Sequence, residues 1–175
     1  MTHTQLIKSA EHWLRSRRCH IVLSEQTADS GEVPDVIGWR RDCHSVVIEC
    51  KISRPDFFAD RKKPVRQKPE TGMGCERFYL TPHDLLKDSD LPDGWGLLEL
   101  RKREIVMRVR ANRSQRSLAG LMAEMELLLA SLRRVEVRIE PQTITDFLKW
   151  TNRMAAYNGG RLPHGLERIA QQVAP

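Results

Sequence analysis

The chain lacks any long apolar run. Its hydrophobic stretches are broken by charges well short of the ~20 residues that a helix needs to cross a bilayer. The N-terminal segment MTHTQLIKSAEHWLRSRR has neither the hydrophobic core nor the small-residue cleavage site of a secretory signal. We therefore expect a cytoplasmic protein with no membrane partner.

Paired cysteine motifs are also missing. The four cysteines contain no CxxC pair, and the six histidines do not cluster with them at the spacing of metal ligands. A zinc site is therefore not expected. In a reducing cytosol we expect free thiols at Cys19, Cys43, Cys50 and Cys75.

Acidic residues are too few to balance the basic ones. Lysine and arginine number 29 against 23 aspartates and glutamates, which gives a formal net charge of +6. This balance favours a phosphate-bearing partner, either nucleic acid or an anionic membrane surface, although a merely basic cytosolic protein has the same composition. With 175 residues the chain can form one compact domain and a small helical appendage.

The hydrophobic periodicity predicts an α/β protein. Apolar residues recur at helical spacing over 5–17 and 115–134, more weakly over 143–157, and a further helix is predicted after Ser53. Short strands are predicted at 20–24, 34–40, 45–51, 77–81, 95–100 and 104–110. Short polar connections predict antiparallel hairpins for the second and third strands and for the last two. This order favours an α/β sandwich around one mixed sheet.

Two neighbouring strands carry the residues that suggest chemistry. Side chains alternate along a strand, so Glu49 and Lys51 share one face at the end of an otherwise apolar strand. Asp35 opens the preceding strand and can face Glu49 across the hairpin. Charges at the end of a buried strand are costly unless they are paired or bind a metal. The two carboxylates and the backbone carbonyl of Cys50 are oxygen ligands of the kind that Mg²⁺ prefers.

Lys51 completes a set that can hydrolyse a phosphodiester. An ammonium beside a bound metal can orient or help to deprotonate a water and can contact the phosphate. For an arbitrary Glu-x-Lys the commoner outcome is a surface ion pair, with Asp35 then a simple turn residue. The apolar strand, the preceding Pro34 and the basic segment that follows favour the catalytic interpretation.

The same residues resemble a known signature. Pro34-Asp35 followed by Glu49-Cys50-Lys51 resembles the PD-(D/E)XK signature of restriction-endonuclease-like nucleases. The flanking text is similar to the MmcB-like DNA-repair nucleases and related phage proteins in the segments IECKISRPDFFADRKK, CERFYLTP and LPDGWGLLEL. The similarity extends over residues 5–110 or so, and the text after it resembles nothing in the family.

The resemblance implies a fold and an activity. It implies a core of helix, three strands, helix and strand, which we place within residues 1–112. We expect residues 113–175 to form a helical extension packed on that core. It implies Asp35 and Glu49 as metal ligands, Lys51 as the catalytic lysine, and a Mg²⁺-dependent deoxyribonuclease in which Mn²⁺ can substitute. An endonuclease in DNA repair or in phage biology or defence is expected. The alternatives are RNA cleavage and a catalytically silent module that binds nucleic acid or protein. A homodimer is a further expectation, because two copies can cut both strands of a duplex.

Other residues are candidates for supporting roles. Glu25 and Glu11 are candidates for a further metal contact, and either can equally be a solvated acid. Two basic runs, one after Lys51 and one after Leu100, are candidate nucleic-acid surfaces or plain solvated faces. The negative charges of Asp56 and Asp60 only partly offset the positive charge of the first run. The residues predicted to bind nucleic acid are Arg54, Arg61, Lys62, Lys63, Arg66, Lys68, Arg101, Lys102 and Arg103. The aromatic residues are expected in the core, and the apolar stripe over 118–132 in the core or in a dimer seam.

Overall fold

One mixed sheet organises the part of the chain that is described. The computed structural model describes residues 1–26, 32–60 and 72–138, together with positions 145, 148, 149 and 152. Over these residues the strands are β1 (Ile21–Ser24), β2 (Val36–Trp39), β3 (Ser45–Cys50), β4 (Glu76–Pro82), β5 (Gly96–Arg101) and β6 (Glu104–Val109). The α-helices are α1 (His3–Ser16), α2 (Arg54–Asp60) and α3 (Leu118–Arg138), and short 3-10 turns lie at Arg41–Cys43 and Asp88–Asp90.

The strands lie side by side in chain order. β3, β4 and β5 are parallel to one another, and the β1–β2, β2–β3 and β5–β6 pairs are antiparallel. Both predicted hairpins and the mixed α/β class are therefore confirmed, and every predicted strand is observed with ends shifted by no more than two residues. The helix expected at 143–157 falls largely outside the described residues.

The first helix covers one face of the sheet. It begins with a capping box in which Thr2 Oγ1 accepts from the Gln5 N–H and Gln5 Oε1 accepts from the Thr2 N–H. Its apolar stripe is buried against the alternate residues of β3, β4 and β5 that point to this face. The stripe consists of Leu6, Ile7, Ala10, Trp13 and Leu14.

The second helix covers the opposite face. Phe57 of α2 packs edge-on against Tyr79, with ring centroids 4.9 Å apart, and Tyr79 stacks on Trp95 at 4.5 Å. Leu86 and Leu97 complete this cluster. The expectation of core aromatics is correct for these rings but wrong for one residue, since Phe58 is 41% exposed. This face also carries the charged ends of β3 and β5.

A buried carboxylate ties the first turns of α3 to the sheet. Glu124 is 1% exposed and accepts hydrogen bonds from Trp39 Nε1, Ser45 Oγ and the Gly74 N–H, each at 2.8 Å. It also pairs with Arg116. Four donors from separate segments therefore meet at one acid.

The apolar stripe of α3 is not core. Ala123 and Leu127 are the helix residues that are buried beside Glu124. Most of the predicted stripe is instead 42% to 73% exposed, namely Leu118, Leu121, Met122, Met125, Leu129 and Leu132. The core interpretation was wrong for these residues because the polar anchor at Glu124 turns a different side of the helix inward. A dimer seam stays a prediction.

The chain divides into two compact units, Met1–Leu127 and Leu128–Pro175. The predicted division of the chain at residues 112 and 113 stays a prediction. No helix among the described residues is both long enough and apolar enough to cross a bilayer.

The Glu124 network predicts a stability difference between two acids on one helix. Replacing Glu124 with Ala leaves several buried donors without an acceptor, so Glu124→Ala should lower the free energy of unfolding by about 3–5 kcal/mol. Glu126→Ala, at an exposed position on the same helix, should change it by less than about 0.5 kcal/mol. Urea unfolding of both variants measures the difference, and equal effects would contradict the assigned network.

Candidate active site

Three carboxylates converge on the ammonium of Lys51. Its Nζ lies 3.3 Å from Glu49 Oε2, 3.4 Å from Asp60 Oδ1 and 3.9 Å from Asp35 Oδ2. Lys51, Glu49 and Asp60 are buried, whereas the Asp35 side chain keeps 19% of its surface exposed. The three residues predicted from the sequence therefore meet at one point, at the carboxyl end of β3.

The hairpin register brings Asp35 to this point. Val36 pairs with Ile48, so continuing the antiparallel register by one residue sets Asp35 opposite Glu49. Asp35 Oδ2 accepts a hydrogen bond from the Cys50 N–H at 2.7 Å, and His3 Nε2 lies 3.4 Å from the same oxygen. The carboxylate is thus held against the main chain of β3.

Asp60 is the member that sequence reasoning missed. It ends α2, is 2% exposed, and accepts a hydrogen bond from Tyr79 Oη at 2.9 Å. The sequence indicates Asp60 only as an acid that partly offsets the basic residues around it. Its spacing of three from the buried Phe57 was the available signal, because such a pair shares one face of a helix.

The carboxylates keep Lys51 charged. Burial on its own lowers the pKa of Lys51, but attraction to Glu49, Asp60 and Asp35 outweighs burial, so the pKa lies above the ordinary lysine value. The Cys50 thiol behaves differently. Burial, with the negative charge of Asp35 added, raises its pKa far above the ordinary value, and the thiol stays neutral.

The other predicted metal contacts are Glu25, which directly follows β1, and Glu11, which lies within α1. Glu25 is exposed, has a positive φ of 50°, and its N–H donates to the Asp35 carbonyl at 3.1 Å. Its charge is also felt at Cys50. Glu11 is partly buried and accepts from Ser24 Oγ, so it is not a simple solvated acid.

By type of donor, Asp35 and Glu49 suit a divalent ion. Both offer hard carboxylate oxygens, and both contact the same ammonium atom, so they face a common space. The hydrogen bond from Cys50 engages Asp35 Oδ2 and leaves Oδ1 on the other side of the carboxylate. The role of the Cys50 carbonyl as a ligand stays a prediction.

The residues predicted to bind nucleic acid divide into two groups. Arg54 pairs with Asp90 at 2.8 Å and Arg101 with Glu99 at 2.8 Å, while Lys102 and Arg103 are exposed in the β5–β6 turn. The remaining five lie outside the described residues, at positions Arg61, Lys62, Lys63, Arg66 and Lys68.

A second buried acid lies on β5. Glu99, whose side chain has no exposed surface, accepts hydrogen bonds from Arg101 Nη2 at 2.8 Å and from Arg108 Nη1 at 2.9 Å. His83 and Asp84 bring possible ligand atoms to within 4.8 Å of it. Two guanidinium groups therefore already pair with the buried acid of this cluster.

The Glu99 network predicts a pH-dependent stability. Burial raises the pKa of Glu99, but hydrogen bonds from Arg101, Arg108 and the Asp84 N–H outweigh burial and lower it below the ordinary 4.5. Its contribution is therefore present above that value and is lost as the pH falls through the lowered pKa.

At pH 7, Glu99→Gln should lower the free energy of unfolding by about 2 kcal/mol. The difference should shrink as the pH falls below the ordinary pKa of 4.5. Urea unfolding across this pH range measures it, with Glu104→Gln, at an exposed position on β6, as the control. A difference that stays constant with pH would contradict the network.

Comparison with known proteins bears on the fold. No family model matches the chain, and no curated protein does. A solved protein of unknown function from Silicibacter pomeroyi is similar in structure, with a TM-score of 0.62 and 23% identity. The similarity covers 81% of this chain and 94% of that one. At this identity the similarity establishes a shared fold and nothing about activity.

Proposed function

We propose that the protein is a metal-dependent nuclease that hydrolyses DNA phosphodiester bonds. The observation that carries the proposal is the contact of two strand-end carboxylates, Asp35 and Glu49, with the ammonium of Lys51. The element order α1-β1-β2-β3-α2-β4 supports a restriction-endonuclease-like core, because it is the order that the resemblance implies.

Each residue has a distinct role in this proposal. Asp35, Glu49 and the Cys50 carbonyl would hold Mg²⁺, or Mn²⁺ in its place. The ion would neutralise the phosphate charge and lower the pKa of a bound water. Lys51, as an ammonium, can contact a phosphate oxygen and orient the attacking water.

Asp60 and Tyr79 supply support from the α2 side. The hydrogen bond from Tyr79 fixes Asp60, and Asp60 in turn restrains the Lys51 ammonium. A catalytic group works best when its own position is set by such contacts. Asp60 is thus a positioning residue in the proposal.

The silent binding module is the second candidate. Lys51 already pairs with Asp35 and Glu49, and such an ion-pair network can be purely structural. The proposed repair or phage role, the endonucleolytic cut and a homodimer are predictions that accompany the nuclease proposal.

The nuclease proposal predicts that three conservative changes abolish cleavage. Asp35→Asn and Glu49→Gln remove ligand charge and Lys51→Met removes the ammonium, so each should lower the cleavage rate by at least about 100-fold. The measurement is cleavage of single-stranded, duplex and branched DNA and of RNA with Mg²⁺ or Mn²⁺. Asp93→Asn, at an exposed position before β5, should retain the wild-type rate.

Measurements of folding, metal binding and DNA binding distinguish the nuclease from the silent binding module. Thermal unfolding shows whether each variant is folded, and Mn²⁺ titration shows whether metal affinity falls in the two carboxylate variants. Wild-type cleavage in all three variants would overturn the proposed site. DNA binding without metal-dependent cleavage of any of these substrates would favour the silent module.

A further inference from the structure

A groove of about 560 Å³ lies between α1 and the β5–β6 hairpin. Basic side chains line both of its walls: Lys8, His12 and Arg17 on the helix, and Arg103 on the hairpin turn. A single carboxylate, Glu104, is among the lining residues. Three permanent cations therefore face one acid.

The cations of this groove differ from the arginines that are neutralised within the fold. Across the described residues, Lys8, Arg17 and Arg103 form no ion pair with a carboxylate, whereas six other arginines do. The paired arginines are Arg40, Arg54, Arg77, Arg101, Arg108 and Arg116. The three cations that line the groove are thus not neutralised by a carboxylate within the described residues.

The spacing of the cations fits an extended polyanion. From Lys8 to Arg17 the helix advances by about 13 Å at ~1.5 Å per residue. Neighbouring phosphates on one strand of duplex DNA advance by ~3.4 Å along the axis, so the axial distance from Lys8 to Arg17 corresponds to several phosphates. A single phosphate would contact only some of these cations.

Helix stability alone does not account for this arrangement. Arg17 is the C-cap of α1, where a cation interacts favourably with the helix dipole. Its guanidinium also lies 5.2 Å from the centre of the Trp13 ring. Neither reason applies to Lys8, in the middle of the helix, or to Arg103, on another element.

We propose that this groove binds the sugar–phosphate backbone of DNA without reading its sequence. The inference rests on the proposed function, because DNA is the substrate proposed there. The sequence had indicated Arg103 for this purpose but neither Lys8 nor Arg17.

The test compares two variants with the same loss of charge. The groove variant combines Lys8→Gln, Arg17→Gln and Arg103→Gln. The control combines three changes at exposed cations that do not line the groove, Lys87→Gln, Arg41→Gln and Arg133→Gln. Fluorescence anisotropy of a labelled 20-base-pair duplex, in EDTA to prevent cleavage, gives the affinity at several salt concentrations.

We expect the groove variant to bind the duplex at least about 10-fold more weakly than the control. Its slope of log Kd against log salt should fall by about 2 to 3, because each contact with a duplex phosphate contributes ~0.9 to that slope. The single variants Lys8→Gln and Arg103→Gln should each lower the slope by about 1. Equal affinities and slopes in the groove variant and the control would overturn the inference.

Two outcomes distinguish failure of the groove inference from failure of the nuclease proposal. If the wild type cleaves DNA but the groove variant binds like the control, the groove inference fails and the nuclease proposal stands. If no substrate is cleaved but the groove variant loses affinity, the groove inference stands and the nuclease proposal fails. Loss of binding to phosphatidylserine vesicles, with DNA binding unchanged, would overturn the inference in favour of a membrane surface.

Discussion

The buried ammonium of Lys51 is the constraint on which the candidate site depends. A charge with so little exposed surface must be paired, because an isolated one would cost several kcal/mol. The pairing partners come from three parts of the fold: Glu49 from β3, Asp35 from the position directly before β2, and Asp60 from the end of α2. The hairpin register and the packing of α2 on the sheet therefore together set the positions of the carboxylates around the Lys51 ammonium.

The part of the site that is formed by residues close together in sequence was predictable. Alternation along β3 and a short hairpin connection suffice to bring Asp35, Glu49 and Lys51 together, since both follow from spacing along the chain. Asp60 was not predictable in the same way. Its place depends on the packing of Phe57 against Tyr79, a tertiary contact between residues that are far apart in sequence.

Helix α3 and the basic residues show where sequence patterns mislead. Periodicity identifies an apolar side of α3, but the side that turns inward is set by the hydrogen bonds of Glu124 to Trp39 and Ser45. Likewise, a net charge of +6 does not reveal which cations are neutralised inside the fold. Arg108 of β6 is bound to Glu99 of β5 across the hairpin, whereas Arg103 in the β5–β6 turn has no such partner among the described residues, and the net charge does not reveal this difference.

The most direct measurement is the anomalous difference density of a crystal soaked in Mn²⁺. The account predicts a manganese peak that contacts the carboxylates of both Asp35 and Glu49, with the Lys51 ammonium beside it. A crystal at saturating Mn²⁺ in which Lys51 still bridges the two acids and no peak lies between them would contradict it. So would a peak confined to the cluster around Glu99.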